Sequence, residues 1–110
     1  MNQKELNNFK RKYFDLRKPR QQNHIVHDPN TVSQHRRVVA EICEWLRENG
    51  YVFFTRVYTK HGEIIDIVAP ELPHPFIEVR HSELEKTKEY NSEYDGLRIF
   101  VDTNNPFKLL

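Results

Sequence analysis

The chain of 110 residues is long enough for one folded domain, and its 37% apolar and 12% aromatic residues exclude a wholly disordered chain. No apolar run approaches the roughly 20 residues of a membrane-spanning helix, and no secretion signal opens the chain, so we expect a cytoplasmic protein without a membrane partner. The net charge of +1 conceals an asymmetry, because residues 1–20 contain seven basic and two acidic residues and the remaining ninety contain ten and fourteen.

The basic N-terminal segment contains an apolar stripe at helical spacing, which predicts a short amphipathic helix. The stripe consists of Leu6, Phe9, Tyr13 and Leu16. Pro19 disfavours helical geometry in the residue before it, so the helix is expected to end at Lys18. Two interpretations are open: the helix is an arm that grips phosphates, or it packs its stripe on the body or on a partner. We divide the chain into an arm and linker at residues 1–23 and a domain at residues 24–110.

A second helix, of about 17 residues, is predicted after this linker. Its apolar residues recur at helical spacing as far as Leu46, and Asn49 and Gly50 are typical of a helix end. Cys43 lies among these apolar positions and is the only cysteine of the sequence. We therefore expect a core residue there rather than a nucleophile.

The second half of the chain alternates β-type runs with turn residues. β-branched and aromatic residues predict strands at residues 51–58, 63–69, 76–80 and 97–101. Ser82 and Glu85 have the spacing of a capping box, which predicts a further helix that ends near Gly96. The chain is thus predicted to be an α/β protein with the order helix, three strands, helix, strand.

Two of the predicted strands contain an acidic residue inside an apolar run. Asp66 lies in the run Ile-Ile-Asp-Ile-Val, and Glu78 lies in Phe-Ile-Glu-Val-Arg. A carboxylate within a buried strand is costly to bury without a partner. If the two strands are neighbours, the carboxylates meet and offer the hard oxygen ligands that Mg²⁺ or Mn²⁺ prefers. Arg80 is expected on the same face, and a salt-bridged cluster in which it neutralises both acids is the alternative.

The element order and the residues around Asp66 and Glu78 resemble the PD-(D/E)XK nuclease superfamily, particularly its short archaeal Holliday-junction-resolvase-like members. The resemblance covers roughly residues 31–103 and leaves the basic arm outside. It implies a restriction-endonuclease-like αβββαβ core, with a mixed central sheet flanked by helices, preceded here by a basic N-terminal helical arm.

The resemblance also implies roles for the two acids. In that superfamily an aspartate of the second core strand and a glutamate of the third bind the catalytic divalent metal, and a lysine two residues later assists the attacking water. Asp66 and Glu78 are therefore the expected catalytic metal ligands, with Mg²⁺ or Mn²⁺ as cofactor. Arg80 stands at the lysine position; it cannot accept a proton at neutral pH but can bind the scissile phosphate.

The resemblance and the sequence around it suggest roles for four further residues. Some members supply the missing lysine from the following helix, for which Lys86 is the catalytic candidate. A glutamate of the first core helix often adds a metal ligand; Glu41 is the candidate, and His35, which lies on the apolar stripe, is its substitute. His81, next to Arg80, is a candidate phosphate contact, with capping of the following helix as the alternative.

The expected function is divalent-metal-dependent hydrolysis of phosphodiester bonds in DNA by a homodimer, as is common for superfamily members of this size. The basic arm is expected to contact the nucleic-acid backbone, through Lys10, Arg11, Lys12, Arg17, Lys18 and Arg20. The alternative is a catalytically impaired nuclease-fold protein that binds nucleic acid without cutting it. A third possibility is an interaction module whose amphipathic helix docks a partner.

Overall fold

The structure is a computed structural model that describes residues 1–80 and 92–103 of the chain. The helices are α1 (Gln3–Tyr13) and α2 (Ser33–Glu48), and the strands are β1 (Phe54–Tyr58), β2 (Ile64–Val68), β3 (Phe76–Arg80) and β4 (Arg98–Asp102). The strands form one sheet in the order β1-β2-β3-β4, in which β3 and β4 are parallel and the other neighbours are antiparallel. The predicted α/β class with a mixed sheet and helices is confirmed.

Helix α1 begins with a reciprocal cap and packs on one face of the sheet. The side chain of Asn2 accepts a hydrogen bond from the backbone N–H of Glu5, and the Glu5 carboxylate accepts one from the backbone N–H of Asn2. The buried residues on this side, which we call the α1 cluster, are Leu6, Phe14, Phe54, Val57, Ile65, Val68, Phe76 and Tyr94. The stripe of α1 is therefore packed on the body of the same chain.

Helix α1 ends at Tyr13, so the predicted end at Lys18 is wrong. Phe14 leaves the helix to form an antiparallel bridge with Thr59, and its ring packs edge-on against Phe54 with the ring centres 5.3 Å apart. Strand pairing and burial of this ring outweigh continuation of the helix. As a result Leu16, predicted to belong to the apolar stripe, is 58% exposed.

Helix α2 packs on the opposite face and matches its prediction. Its buried partners, the α2 cluster, are Val38, Val39, Ile42, Cys43, Leu46, Phe53, Ile67, Ala69, Ile77, Val79 and Val101. Gly50 ends the helix with a φ of 76°; its N–H bonds to the carbonyl of Arg47 and that of Tyr51 to the carbonyl of Leu46. Cys43 is a core residue as predicted, and burial raises the pKa of its thiol to about 12.

A proline-rich loop joins β2 to β3, and residues 81–97 join β3 to β4. Between β2 and β3, the N–H of Ala69 donates to the carbonyl of Pro75 across the proline-rich loop. The helix predicted to start at Ser82 lies largely in residues 81–91, outside the described part, and residues Ser92–Leu97 form a short 3₁₀ helix.

No helix within residues 1–80 and 92–103 is long and apolar enough to cross a membrane.

Candidate functional site

The sheet is interrupted on both sides of Asp66. Between β1 and β2, Thr55 pairs with Ile67 and Val57 pairs with Ile65, but no pair is formed where Arg56 and Asp66 face each other. Arg56 has a φ of 48°, in the left-handed region that side chains with a Cβ rarely adopt. Regular pairing of β1 with β2 is therefore interrupted at Arg56 and Asp66.

This break changes which faces the side chains of β2 occupy. In a regular strand, Ile65 and Ile67 would share a face. Instead, Ile65 and Val68 belong to the α1 cluster and Ile67 to the α2 cluster. Asp66 lies where the alternation reverses, and its carboxylate contacts a side chain of α2.

Between β2 and β3, side chains replace the backbone ladder. The paired residues are Ile67 with Ile77 and Val68 with Phe76, and the same register would bring Asp66 opposite Glu78. There, the backbone N–H of Asp66 donates to Oε1 of Glu78 at 3.2 Å. The backbone N–H of Val79 donates to Oδ2 of Asp66 at 2.8 Å. Asp66 and Glu78, the two predicted metal ligands, therefore each accept a hydrogen bond from a backbone N–H of the strand that carries the other.

His35 supplies the contact from α2. Its Nε2 lies 3.4 Å from Oδ2 of Asp66, and the residue is buried. The neighbouring Gln34 donates from Nε2 to the carbonyl of Thr103 at 3.2 Å, and the N–H of Thr103 donates to the carbonyl of Arg80 at 2.8 Å. These bonds fix the start of α2 over the carboxyl ends of β3 and β4.

Glu78 is also close to a buried ion pair that the sequence analysis missed. The Arg98 guanidinium contacts both carboxylate oxygens of Glu63, at 2.6 and 3.1 Å, and its Nη1 lies 4.0 Å from Oε1 of Glu78. The side chain of Glu78 is 1% exposed and that of Arg98 is 2% exposed. An arginine within the apolar run Arg-Ile-Phe-Val was the available indication, since a buried strand seldom carries an unpaired charge.

Arg80 lies on the face opposite α2. Its neighbours Ile77 and Val79 pack in the α2 cluster, so the alternation of β3 directs Glu78 and Arg80 to the other face. The Arg80 guanidinium carbon lies 3.9 Å from the ring centre of Phe100 on β4. Arg80 and Glu78 thus share a face as predicted, whereas the carboxylate of Asp66 meets α2.

Glu41, the predicted third metal ligand, is not brought to this point by the structure. Glu41 is exposed on α2, six residues after His35 and so about 240° around the helix axis from it. Lys86 and His81 lie outside the described residues. Within residues 1–80 and 92–103, no group of three or more His, Cys, Asp or Glu side chains is arranged to hold a metal ion.

Three of the predicted nucleic-acid contacts lie against aromatic rings of β1. The Lys10 ammonium is 5.0 Å from the ring centre of Phe54. The Lys18 ammonium and the Arg20 guanidinium carbon lie 4.4 and 5.5 Å from the ring centre of Tyr58. The stretch from Lys18 to Arg20 is therefore attached to the edge strand of the sheet.

The other three predicted contacts are exposed. Arg11 and Lys12 project from α1, with the Lys12 ammonium 5.3 Å from the ring centre of Tyr13. Arg17 donates to both carboxylate oxygens of Asp15, and this guanidinium holds the pKa of the Asp15 carboxyl below its ordinary value. Arg11, Lys12 and Arg17 thus carry their charges at the surface.

No protein-family model, no curated protein and no solved structure matches the chain. A function is therefore inferred from the sequence and from the geometry around Asp66 and Glu78.

Proposed function

We propose that this chain is a divalent-metal-dependent endonuclease of the PD-(D/E)XK superfamily, with the restriction-endonuclease-like fold, that hydrolyses phosphodiester bonds in DNA. The observation that carries the proposal is the pair of hydrogen bonds between Asp66 and β3. They fix two carboxylates where the ladder between β2 and β3 stops, with Oε1 of Glu78 on the Asp66 N–H and Oδ2 of Asp66 on the Val79 N–H.

Mg²⁺ keeps several of its waters and binds through one or two carboxylates. The Asp66 carboxylate meets α2 and Glu78 belongs to the opposite face, so an ion shared by both acids would lie between β2 and β3, where their hydrogen bonds replace the ladder. His35 adds an imidazole nitrogen 3.4 Å from Oδ2 of Asp66, and such a ligand favours a transition metal such as Mn²⁺ over Mg²⁺. The two carboxylates and the nearby imidazole support the proposal of a site for Mg²⁺ or Mn²⁺.

The chain's own residues orient the reacting groups. Bound here, a divalent ion would lower the pKa of a water molecule and stabilise charge on the phosphate. The Val79 N–H holds the Asp66 carboxylate in place. Arg80, which is always charged, shares a face with Glu78 and attracts a phosphate on that face. Lys86 is the candidate that assists the water in place of the missing lysine. The basic residues from Lys10 to Arg20 add affinity for the DNA backbone. The resemblance to the superfamily implies a homodimer on DNA.

A nicking assay on supercoiled plasmid and on junction DNA tests the proposal. In Mn²⁺, we expect the native chain to cut and Asp66→Asn, which keeps an oxygen for the Val79 N–H, to lose cleavage. Asp95→Asn removes an exposed carboxylate of the 3₁₀ helix and serves as the matched control that still cuts. Cleavage by Asp66→Asn at the native rate would overturn the assignment.

A second candidate function is nucleic-acid binding without cleavage. Arg80 occupies the lysine position, and the Arg98 guanidinium already lies 4.0 Å from Oε1 of Glu78, so a cation of the chain itself stands near this carboxylate. This function predicts that the native chain binds DNA equally well with Mg²⁺ and with EDTA and cuts neither substrate.

A further inference from the structure

Arg56 is held in an unfavourable backbone conformation at the level of the candidate site. In the described part of the chain, the non-glycine residues with positive φ are Asn23, at 56°, and Arg56, at 48°. Asparagine tolerates this region, whereas an arginine there costs about 1–2 kcal/mol. Such strain persists only where the surrounding structure determines it, and it concentrates at functional positions.

Contacts from residues 20–26 hold the backbone of β1 on each side of Arg56. Arg20 donates from Nε to the carbonyl of Arg56 at 3.0 Å. The hydroxyl of Thr55 donates to the carbonyl of His24 at 3.0 Å and accepts from the N–H of Val26 at 2.7 Å. The orientation of Arg56 is therefore imposed by its neighbours on both sides.

Among the residues that the structure describes, the side chain of Arg56 has one loose partner. Its Nη2 lies 3.9 Å from Oδ2 of Asp28, and the Arg56 side chain is 31% exposed. A partly exposed pair at this distance contributes little to stability. The other oxygen of Asp28 accepts from the backbone N–H of Asn30 at 2.9 Å, which anchors the carboxylate independently of the arginine. The guanidinium can thus exchange Asp28 for another anion without disturbing the loop.

The register of β1 and β2 places Arg56 at the level of Asp66, between the pairs Thr55–Ile67 and Val57–Ile65. Neighbouring strands of a sheet are about 4.8 Å apart. An anion bound to Arg56 is therefore held by the strand next to Asp66. A guanidinium binds phosphate in a bidentate manner, and Arg20, fixed on the carbonyl of Arg56, adds a second positive charge to this side.

We propose that Arg56 is a phosphate-binding residue that, together with Arg20, holds the backbone of a nucleic acid across β1 beside Asp66. This inference rests on the proposed function and extends it, because it names the side from which the substrate strand reaches the acids. Arg56 was not among the residues that the sequence predicted to contact nucleic acid.

Fluorescence anisotropy with a fluorescein-labelled DNA duplex of about 20 base pairs, in EDTA, tests this residue. We expect Arg56→Gln to weaken binding about 5- to 10-fold and to reduce the slope of log K against log salt by about 0.9, the value for one phosphate contact. Arg56→Lys should restore most of the slope, since the charge returns. Arg47→Gln removes an exposed arginine paired with Glu44 on the last turns of α2 and should leave the slope unchanged.

A second variant and a titration with Mn²⁺ distinguish failure of the role of Arg56 from failure of the nuclease proposal. Arg56→Gly relieves the positive φ, so it should fold at least as stably as the native chain while binding DNA as weakly as Arg56→Gln. If the native chain binds DNA and both variants match its affinity and slope, the role of Arg56 is overturned while the nuclease proposal stands. If the native chain binds neither DNA nor Mn²⁺, the proposed function itself fails.

Discussion

The backbone N–H of Asp66 donates to Oε1 of Glu78 at 3.2 Å, at the position where the next rung of the β2–β3 ladder would have formed. A strand pair normally satisfies such an N–H with a carbonyl. Here the carboxylate takes that place, which reduces the desolvation cost of Glu78 in a site that leaves its side chain 1% exposed. The same interruption leaves Asp66 accessible to His35 of α2.

Arg98 is predicted to be essential for stability. Arg98→Met leaves the buried carboxylates of Glu63 and Glu78 without their shared cation, and removing one partner of a buried pair costs about 3–5 kcal/mol. Urea denaturation measures the change in the free energy of unfolding. Arg17→Met, which breaks the exposed pair with Asp15, should cost little by comparison. Equal and small losses in the two variants would show that the buried pair contributes no more than a surface one.

Stability is predicted to fall in alkali partly because of Cys43. Burial raises the pKa of its thiol from 9.0 to about 12, so the unfolded chain loses this proton first as the pH rises. The free energy of unfolding should therefore decrease between pH 9 and pH 12, by up to about 1.4 kcal/mol per pH unit from this group. Urea denaturation of the native chain and of Cys43→Ala isolates the contribution, because other titrating groups are common to both. Parallel pH profiles would contradict the assignment.

His35 is predicted to set the preference for the metal. His35→Gln removes the imidazole nitrogen beside Asp66 and should lower the affinity for Mn²⁺ about 10-fold while lowering that for Mg²⁺ less. Titration of Mn²⁺ followed by electron paramagnetic resonance measures the first, and competition by Mg²⁺ the second. His24→Gln, at an exposed histidine, is the control. Equal losses for both ions would assign His35 a structural role only.

Apolar spacing and residue type together predicted much of the fold. The apolar spacing of α2 and the stop at Gly50 were correct, and every predicted strand overlaps an observed one. The end of α1 was wrong because Phe14 pairs with Thr59, a contact between residues far apart in the sequence. Local propensity carries no information on such a bridge.

The candidate site was predictable in part. A carboxylate within an apolar run identified Asp66 and Glu78 as unusual, and the helical stripe offered His35 as a possible partner. The reversal of alternation at Asp66 was not predictable, because it coincides with a left-handed conformation of Arg56 on the neighbouring strand that local residue types do not indicate. The pairing of Arg98 depends likewise on tertiary contact.

Calorimetric titration of Mn²⁺ into the full chain and into Asp66→Asn tests the central claim most directly. The account predicts that the native chain binds the ion, that Asp66→Asn loses most of this affinity, and that the exposed-site control Asp95→Asn retains it. Native Mn²⁺ affinity in Asp66→Asn, or no binding by the native chain, would contradict the assignment of Asp66 and Glu78 as a metal site.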